Sequence, residues 1–128
     1  MTFAGGRTVT VLLVEDSPDA RYLLTTLLEV HGLRVLAAAT AQEALEAARQ
    51  AGPIDVLLSD LRLPDGDGTQ VASSLERIQP GIRSLFISGD PPPPLAPGQA
   101  FLRKPARIVA ILREIRALVP QSAYGRAS

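Results

Sequence analysis

Val56-Leu57-Leu58-Ser59-Asp60-Leu61-Arg62-Leu63-Pro64-Asp65-Gly66-Asp67-Gly68 is an apolar run of strand length that stops abruptly at an aspartate. A proline, two glycines and two further acids follow at once. A near-continuous aliphatic run without alternation reads as a strand buried on both faces, the mark of a parallel sheet. A carboxylate at the C-terminal tip of such a strand lies where open α/β sheets place their chemistry. Asp60 is therefore the candidate working residue.

The same reading extends in both directions. Val9–Val14 (VTVLLV) is a second both-faces-buried run and ends in Glu15-Asp16. Ser17-Pro18-Asp19 is a helix start, with an N-cap serine, a proline at the first helical position and an acid in the first turn. Ala20, Leu24, Leu27, Leu28 and His31 carry the helical period, and Gly32 stands where a helix-ending glycine belongs. His31 is read as a last-turn residue favoured by the helix dipole rather than as a ligand or phosphodonor. Leu33–Ala38 is a short strand. Thr40-Ala41-Gln42-Glu43 matches a capping box, and Ala44, Leu45 and Ala48 supply the stripe of a helix ending near Gly52-Pro53.

Ile54–Ser59 is the third strand. Val71, Ala72, Leu75 and Ile78 mark a helix that Pro80-Gly81 closes. Ile82–Ser88 is the fourth strand and Ala100–Arg103 the fifth. Between them, Gly89–Gly98 holds five prolines. Proline has no amide donor and clashes with the preceding turn, so no helix can run there. Ile108, Ile111, Leu112, Ile115 and Leu118/Val119 form the strongest amphipathic stripe, a final helix.

Alternating strands and helices with short links imply parallel pairing and right-handed crossovers. All strand C-termini then share one edge. Glu15 and Asp16, Asp60, Ser88 and Lys104 close four of the five strands on that rim. Three carboxylates crowded together repel and need compensation. A hard cation with oxygen ligands, Mg²⁺ foremost, provides it, and Lys104 adds an ammonium. A nucleophilic carboxylate with metal, ammonium and hydroxyl around it suits phosphoryl transfer.

The totals narrow the classes. The chain has 128 residues, no cysteine, a formal net charge of zero and 46% hydrophobic residues. One domain with a real core is expected. Disulfides and thiolate zinc sites are excluded. Direct nucleic-acid binding loses its main electrostatic argument. No apolar run is long enough to span a bilayer and no signal-peptide pattern opens the sequence, so a cytoplasmic location is expected. Residues 1–8 read as a flexible start, 9–119 as the domain and 120–128 as a flexible polar tail.

Glu15-Asp16 after VLLV, Asp60 in LLSDLRLPDGDG, Ser88 in FISG and Lys104-Pro105 in FLRKP together resemble the receiver domain of bacterial two-component response regulators. The resemblance covers residues 9–119. It implies a flavodoxin-like α/β fold, a doubly wound five-stranded parallel sheet in the order 2-1-3-4-5. It implies Asp60 as phosphoacceptor, with Glu15, Asp16, Asp60 and the Arg62 backbone carbonyl around Mg²⁺. Lys104 would contact the phosphate, the Lys104–Pro105 bond would be cis, and Ser88 and Phe101 would be the switch pair. The phosphoryl donor would be a histidine kinase or histidine phosphotransfer domain. The chain would be a signalling domain rather than an enzyme.

Family members usually carry a helix between the switch hydroxyl and the fifth strand. Here the proline segment leaves four main helices instead of five. Any dimer would then form away from the usual face built on that helix. A competing reading is a receiver-shaped interaction module with weak or no switching, such as the receiver of a hybrid kinase acting as a phosphate sink. The chain would be a stand-alone regulator or a piece of a larger protein.

Three lesser motifs carry less weight. Asp65-Gly66-Asp67-Gly68-Thr69 spells the DxDGT of haloacid-dehalogenase-type phosphatases, but it lies past the strand end, and the bland reading of Pro64–Gly68 is a flexible solvated turn beside the acid site. Asp65–Glu76 fails as a calcium loop because Gln70 replaces the required glycine. Pro94-Leu95-Ala96-Pro97 fits PxxP, and a stiffened loop is the simpler reading.

Overall fold

The structure is a computed structural model and describes residues 8–119. The expected flexible start and the tail from residue 120 lie outside the described residues, Thr8 excepted. The central sheet is parallel. Its strands are β1 (Thr10–Val14), β2 (Arg34–Ala38), β3 (Val56–Asp60), β6 (Arg83–Ser88) and β7 (Gln99–Arg103), in the order β2-β1-β3-β6-β7. This is the order 2-1-3-4-5 expected for a flavodoxin-like sheet. A two-residue hairpin, β4 (Arg62–Leu63) with β5 (Gly66–Asp67), stands apart from it.

Four helices cover the sheet among the described residues: α1 (Pro18–Val30), α2 (Ala41–Gln50), α3 (Gly68–Ile78) and α4 (Ile108–Leu118). The segment between β6 and β7 contains no helix, as its prolines require.

Local chemistry sets the helix ends. The Ser17 hydroxyl accepts from Ala20 N, with Pro18 opening the helix. Thr40 accepts from Glu43 N at 3.1 Å, and Glu43 reaches back to Ala39 N at 2.9 Å. That is a capping box with its return bond one residue early. Asp67 caps α3. Gly32 takes a φ of 88° after α1, the left-handed conformation that stops a helix at little cost to glycine.

The two sheet faces build two cores. On one, Val11, Leu13, Leu58, Leu85 and Ile87 pack against Leu28 of α1 and Ile111, Leu112 and Ile115 of α4. On the other, Leu12, Val14, Leu57 and Phe86 pack against Ala44 and Ala48 of α2 and Val71, Ala72 and Leu75 of α3. Each fully buried aliphatic side chain contributes about 1.5–3 kcal/mol. β1 and β3 are flanked by strands on both sides and covered on both faces, so they fix the C-terminal rim rigidly.

One local expectation is corrected. Residues 64–66 lie exposed at the turn of the β4–β5 hairpin, as expected, but the segment is tied down rather than loose. The Asp65 carboxylate bonds the start of α2. Two free backbone donors at a helix N-terminus attract a carboxylate, and the hairpin delivers one.

Candidate functional site

The rim gathers the charged residues the sequence pointed to. Asp60 ends β3 with its side chain mostly enclosed, 14% exposed. Lys104 follows β7 and places Nζ 2.7 Å from Asp60 Oδ2 and 3.4 Å from Glu15 Oε1. Glu15 follows β1 and is buried. Its other oxygen accepts from Ser17 N at 2.9 Å, so the helix start of α1 helps to hold it. One ammonium therefore serves two carboxylates from two strands. Partial burial pulls the Lys104 pKa down, but the hydrogen bond and charge of Asp60, then those of Glu15, outweigh it. The ammonium is held charged beyond the ordinary lysine range.

Asp60 Oδ1 accepts from Arg62 N at 3.2 Å. Both acceptor oxygens are thus oriented, one by a main-chain N–H and one by a cation. Ser88 ends β6 one position beyond Ile87, the register partner of Asp60. It is buried, and its hydroxyl accepts from Asp90 N at 3.1 Å. Asp16 is exposed next to Glu15. Phe101 lies in β7 opposite Phe86, on the sheet face that also carries Ser88, and is half-buried. The Lys104–Pro105 peptide is cis.

Three contacts were not read from the sequence. Arg21 donates from Nη1 to the carbonyls of Glu15 at 2.9 Å and Asp16 at 3.4 Å, bracing the acidic turn. Arg62 Nε and Nη2 bond the Asp90 carboxylate at 2.5 and 3.4 Å. The Ser59 hydroxyl donates to Asp60 O at 2.7 Å. Asp90 stands two residues after Ser88 and before a proline, a turn-starting context that was the one available hint.

The donor set is rich in oxygen. Among the described residues no three acidic or imidazole groups form a ready ligand shell. Mg²⁺ needs no such shell, because it uses one or two carboxylates and completes six positions with waters and phosphate oxygens. Glu15 and Asp60 supply hard oxygen donors of that kind, which Lys104 already shares, and the exposed Asp16 follows Glu15 directly in the chain.

Beside Lys104 runs an apolar groove of about 450 Å³, lined by Ala20, Leu23 and Leu24 of α1 and by Pro105, Ala106 and Ile111. Leu23 is 57% exposed on its lip. No helix of the described residues is long and apolar enough to cross a membrane.

A family model described as the response regulator receiver domain matches residues 11–97. The chain is 30% identical over 125 residues to the probable transcriptional regulatory protein TcrX of Mycobacterium tuberculosis, covering 93% of this chain and 53% of that protein. It is 37% identical over 81 residues to the sensor kinase CckA of Brucella abortus, covering 62% of this chain and 9% of that protein. Among solved structures it resembles the receiver domain of a hybrid histidine kinase CckA. That match has a TM-score of 0.77, 32% identity, and coverage of 87% of this chain and 99% of that one. The chain spans about half the length of TcrX and a small part of the sensor kinase.

Proposed function

The chain belongs to the response regulator receiver family, and on that footing we propose that Asp60 accepts a phosphoryl group from a phosphohistidine protein. The observation that carries this reading is the Asp60 carboxylate at the tip of β3 with the Lys104 ammonium 2.7 Å from Oδ2.

In the transfer, a carboxylate oxygen of Asp60 forms a bond to phosphorus as the bond from phosphorus to the donor imidazole nitrogen breaks. The electron pair of that broken bond stays with the imidazole. Arg62 N–H and Lys104 hold the carboxylate in one orientation, which replaces a search over rotamers by a fixed approach. Lys104 is then placed to follow the charge on the transferred oxygens. Glu15, Asp16, Asp60 and the Arg62 carbonyl would hold Mg²⁺. Bound there, the ion neutralises negative charge on the transferring phosphoryl oxygens. Ser88 would donate its hydroxyl to a phosphoryl oxygen, with Phe101 as the aromatic that moves with it.

The donor would be a histidine kinase or a histidine phosphotransfer domain. The apolar groove between α1 and the residues after Lys104 supports docking of such a partner. Lys104 lines the groove and also bonds Asp60, so a protein seated there brings its imidazole to the acceptor. The chain is a signalling domain that assists its own phosphorylation and dephosphorylation rather than an enzyme acting on a separate substrate. We place it in the cytoplasm.

The test is incubation with a ³²P-labelled histidine phosphotransfer protein and Mg²⁺, comparing the chain with its Asp60→Asn variant. Label should appear on the chain and not on the variant. Equal labelling of both overturns the reading.

A further inference from the structure

The proline segment after β6 is tied down at its two ends. Pro91–Pro94 have no N–H to give. At the near end, Asp90 N donates to Ser88 Oγ at 3.1 Å, and the Asp90 carboxylate takes two bonds from the Arg62 guanidinium. At the far end, Ala96 N donates to Gln99 Oε1 at 2.9 Å and Gln99 N to Ala96 O at 3.1 Å. Gly98, with φ 82°, turns the chain into β7.

The near-end anchor closes a ring around the acceptor. Asp60 Oδ1 takes the Arg62 N–H, the Arg62 side chain takes Asp90, and Asp90 N–H takes Ser88. Ser88 adjoins the register partner of Asp60.

We propose that the Arg62–Asp90 ion pair is a strap that holds the proline segment against the acceptor loop, and that a phosphoryl group on Asp60 releases it. The proposal rests on Asp60 being the phosphoacceptor and adds how its state leaves the site.

Three effects of a phosphoryl group act in one direction. It replaces the single charge of the Asp60 carboxylate with up to about two on the phosphoryl group and brings three strong acceptor oxygens. Arg62, its side chain 82% exposed and unhindered by packing, gains a stronger bidentate partner than Asp90. The Asp90 carboxylate, left without its cation, is repelled by the new dianion. Ser88, turning its hydroxyl toward a phosphoryl oxygen, withdraws the acceptor from Asp90 N–H. The near end of the segment then comes free while Gln99 keeps the far end.

The segment moves as a unit because of its prolines. Each residue before a proline is restricted to extended backbone, which covers Asp90 to Pro93. Such a stretch advances about 3 Å per residue and resists bending. Freed at Asp90 and held at Gln99, it swings as a short rod. A rod with a releasable end performs the reporting that a helix at this place would otherwise perform.

The test is amide NMR with and without beryllofluoride and Mg²⁺, on the chain and on Arg62→Ala and Asp90→Ala. Arg62→Ala keeps the main-chain bond to Asp60 and removes the strap alone. In the unaltered chain, beryllofluoride should shift the amides around Asp60 together with those of Leu95, Ala96 and Gly98. In Arg62→Ala without beryllofluoride, the Asp90 amide should lose about tenfold of its exchange protection, the scale of one hydrogen bond. The Leu95, Ala96 and Gly98 amides of both variants should already stand displaced toward their beryllofluoride positions. Shifts around Asp60 with the segment's amides unmoved overturn the strap and leave the acceptor reading intact. Variants whose segment amides stand at unaltered positions overturn it also. No shift anywhere on adding beryllofluoride overturns the acceptor reading and the strap with it.

Discussion

Asp65 Oδ1 lies 2.8 Å from Ala41 N, and its other oxygen lies 3.0 Å from Gln42 N. A residue in the loop after the acceptor thus caps a helix 24 positions earlier in the chain. Together with Thr40 on Glu43 N, it satisfies three of the four donors that an α-helix leaves free at its start. The acceptor loop and α2 are thereby joined.

The first prediction concerns pH. The bonds from Ala41 N and Gln42 N hold the Asp65 carboxyl below the usual aspartate range. A group with a lowered folded pKa adds stability above its unfolded pKa and loses it as pH falls through the folded one. Asp65→Ala should therefore unfold at a lower temperature than the unaltered chain at neutral pH. The gap should narrow as the pH is taken down through and below the aspartate range. A gap independent of pH in thermal melts would contradict the cap.

What was legible in the sequence follows from what has a period. Val9–Val14 and Ile54–Ser59 are aliphatic without alternation, and parallel strands buried on both faces are what such runs form. Ile108, Ile111, Leu112 and Ile115 repeat at helical spacing and pack on the sheet. Five prolines excluded a helix by covalent chemistry alone. Once the strands are parallel, Glu15, Asp60, Ser88 and Lys104 must share an edge, and Lys104 indeed bridges Glu15 and Asp60. The contacts that escaped have no period. Asp65 with Ala41, and Arg62 with Asp90 at a separation of 28, depend on where two loops meet and which rotamers they adopt. Hence PDGDG read as a loose solvated turn although Asp65 within it is committed to α2.

A second prediction tests how closely the acceptor is packed. A β-carbon at Gly68 would press on Ser59 Oγ and overlap the Asp60 carbonyl oxygen, a backbone atom at the end of β3 that cannot yield. Gly68→Ala should cost at least about 2 kcal/mol in denaturant unfolding and slow phosphorylation of Asp60. Gly66→Ala meets only the mobile end of Gln70 at 3.4 Å and the Ala41 methyl at 3.8 Å, so it should stay within about 0.5 kcal/mol of the unaltered chain.

A third prediction separates two roles of Lys104. Its ammonium compensates Glu15 and Asp60 and thereby competes with any cation there. Lys104→Met should raise Mg²⁺ affinity about fivefold or more, the effect of removing one like charge about 4 Å away in a wet site. The same variant should accept phosphoryl more slowly, since the transferred oxygens lose a cation. A Mg²⁺ titration followed by amide NMR, set beside the labelling rate, reads both. Equal or weaker Mg²⁺ binding would show that the ammonium does not share the metal's donors.

The last prediction asks whether the strap belongs to the fold. Arg62 and Asp90 have side chains 82% and 40% exposed, and exposed pairs contribute little because solvent screens the attraction and ordering long side chains opposes it. Neither residue belongs to either apolar core. Arg62→Ala and Asp90→Ala should each change global unfolding free energy by no more than about 0.5 kcal/mol. A double-mutant cycle should give a coupling below about 1 kcal/mol. A releasable contact has to have this property, since a pair that held up the fold could not open without unfolding it. A coupling of several kcal/mol in urea unfolding would make the pair structural and leave the phosphoryl group too weak to displace it.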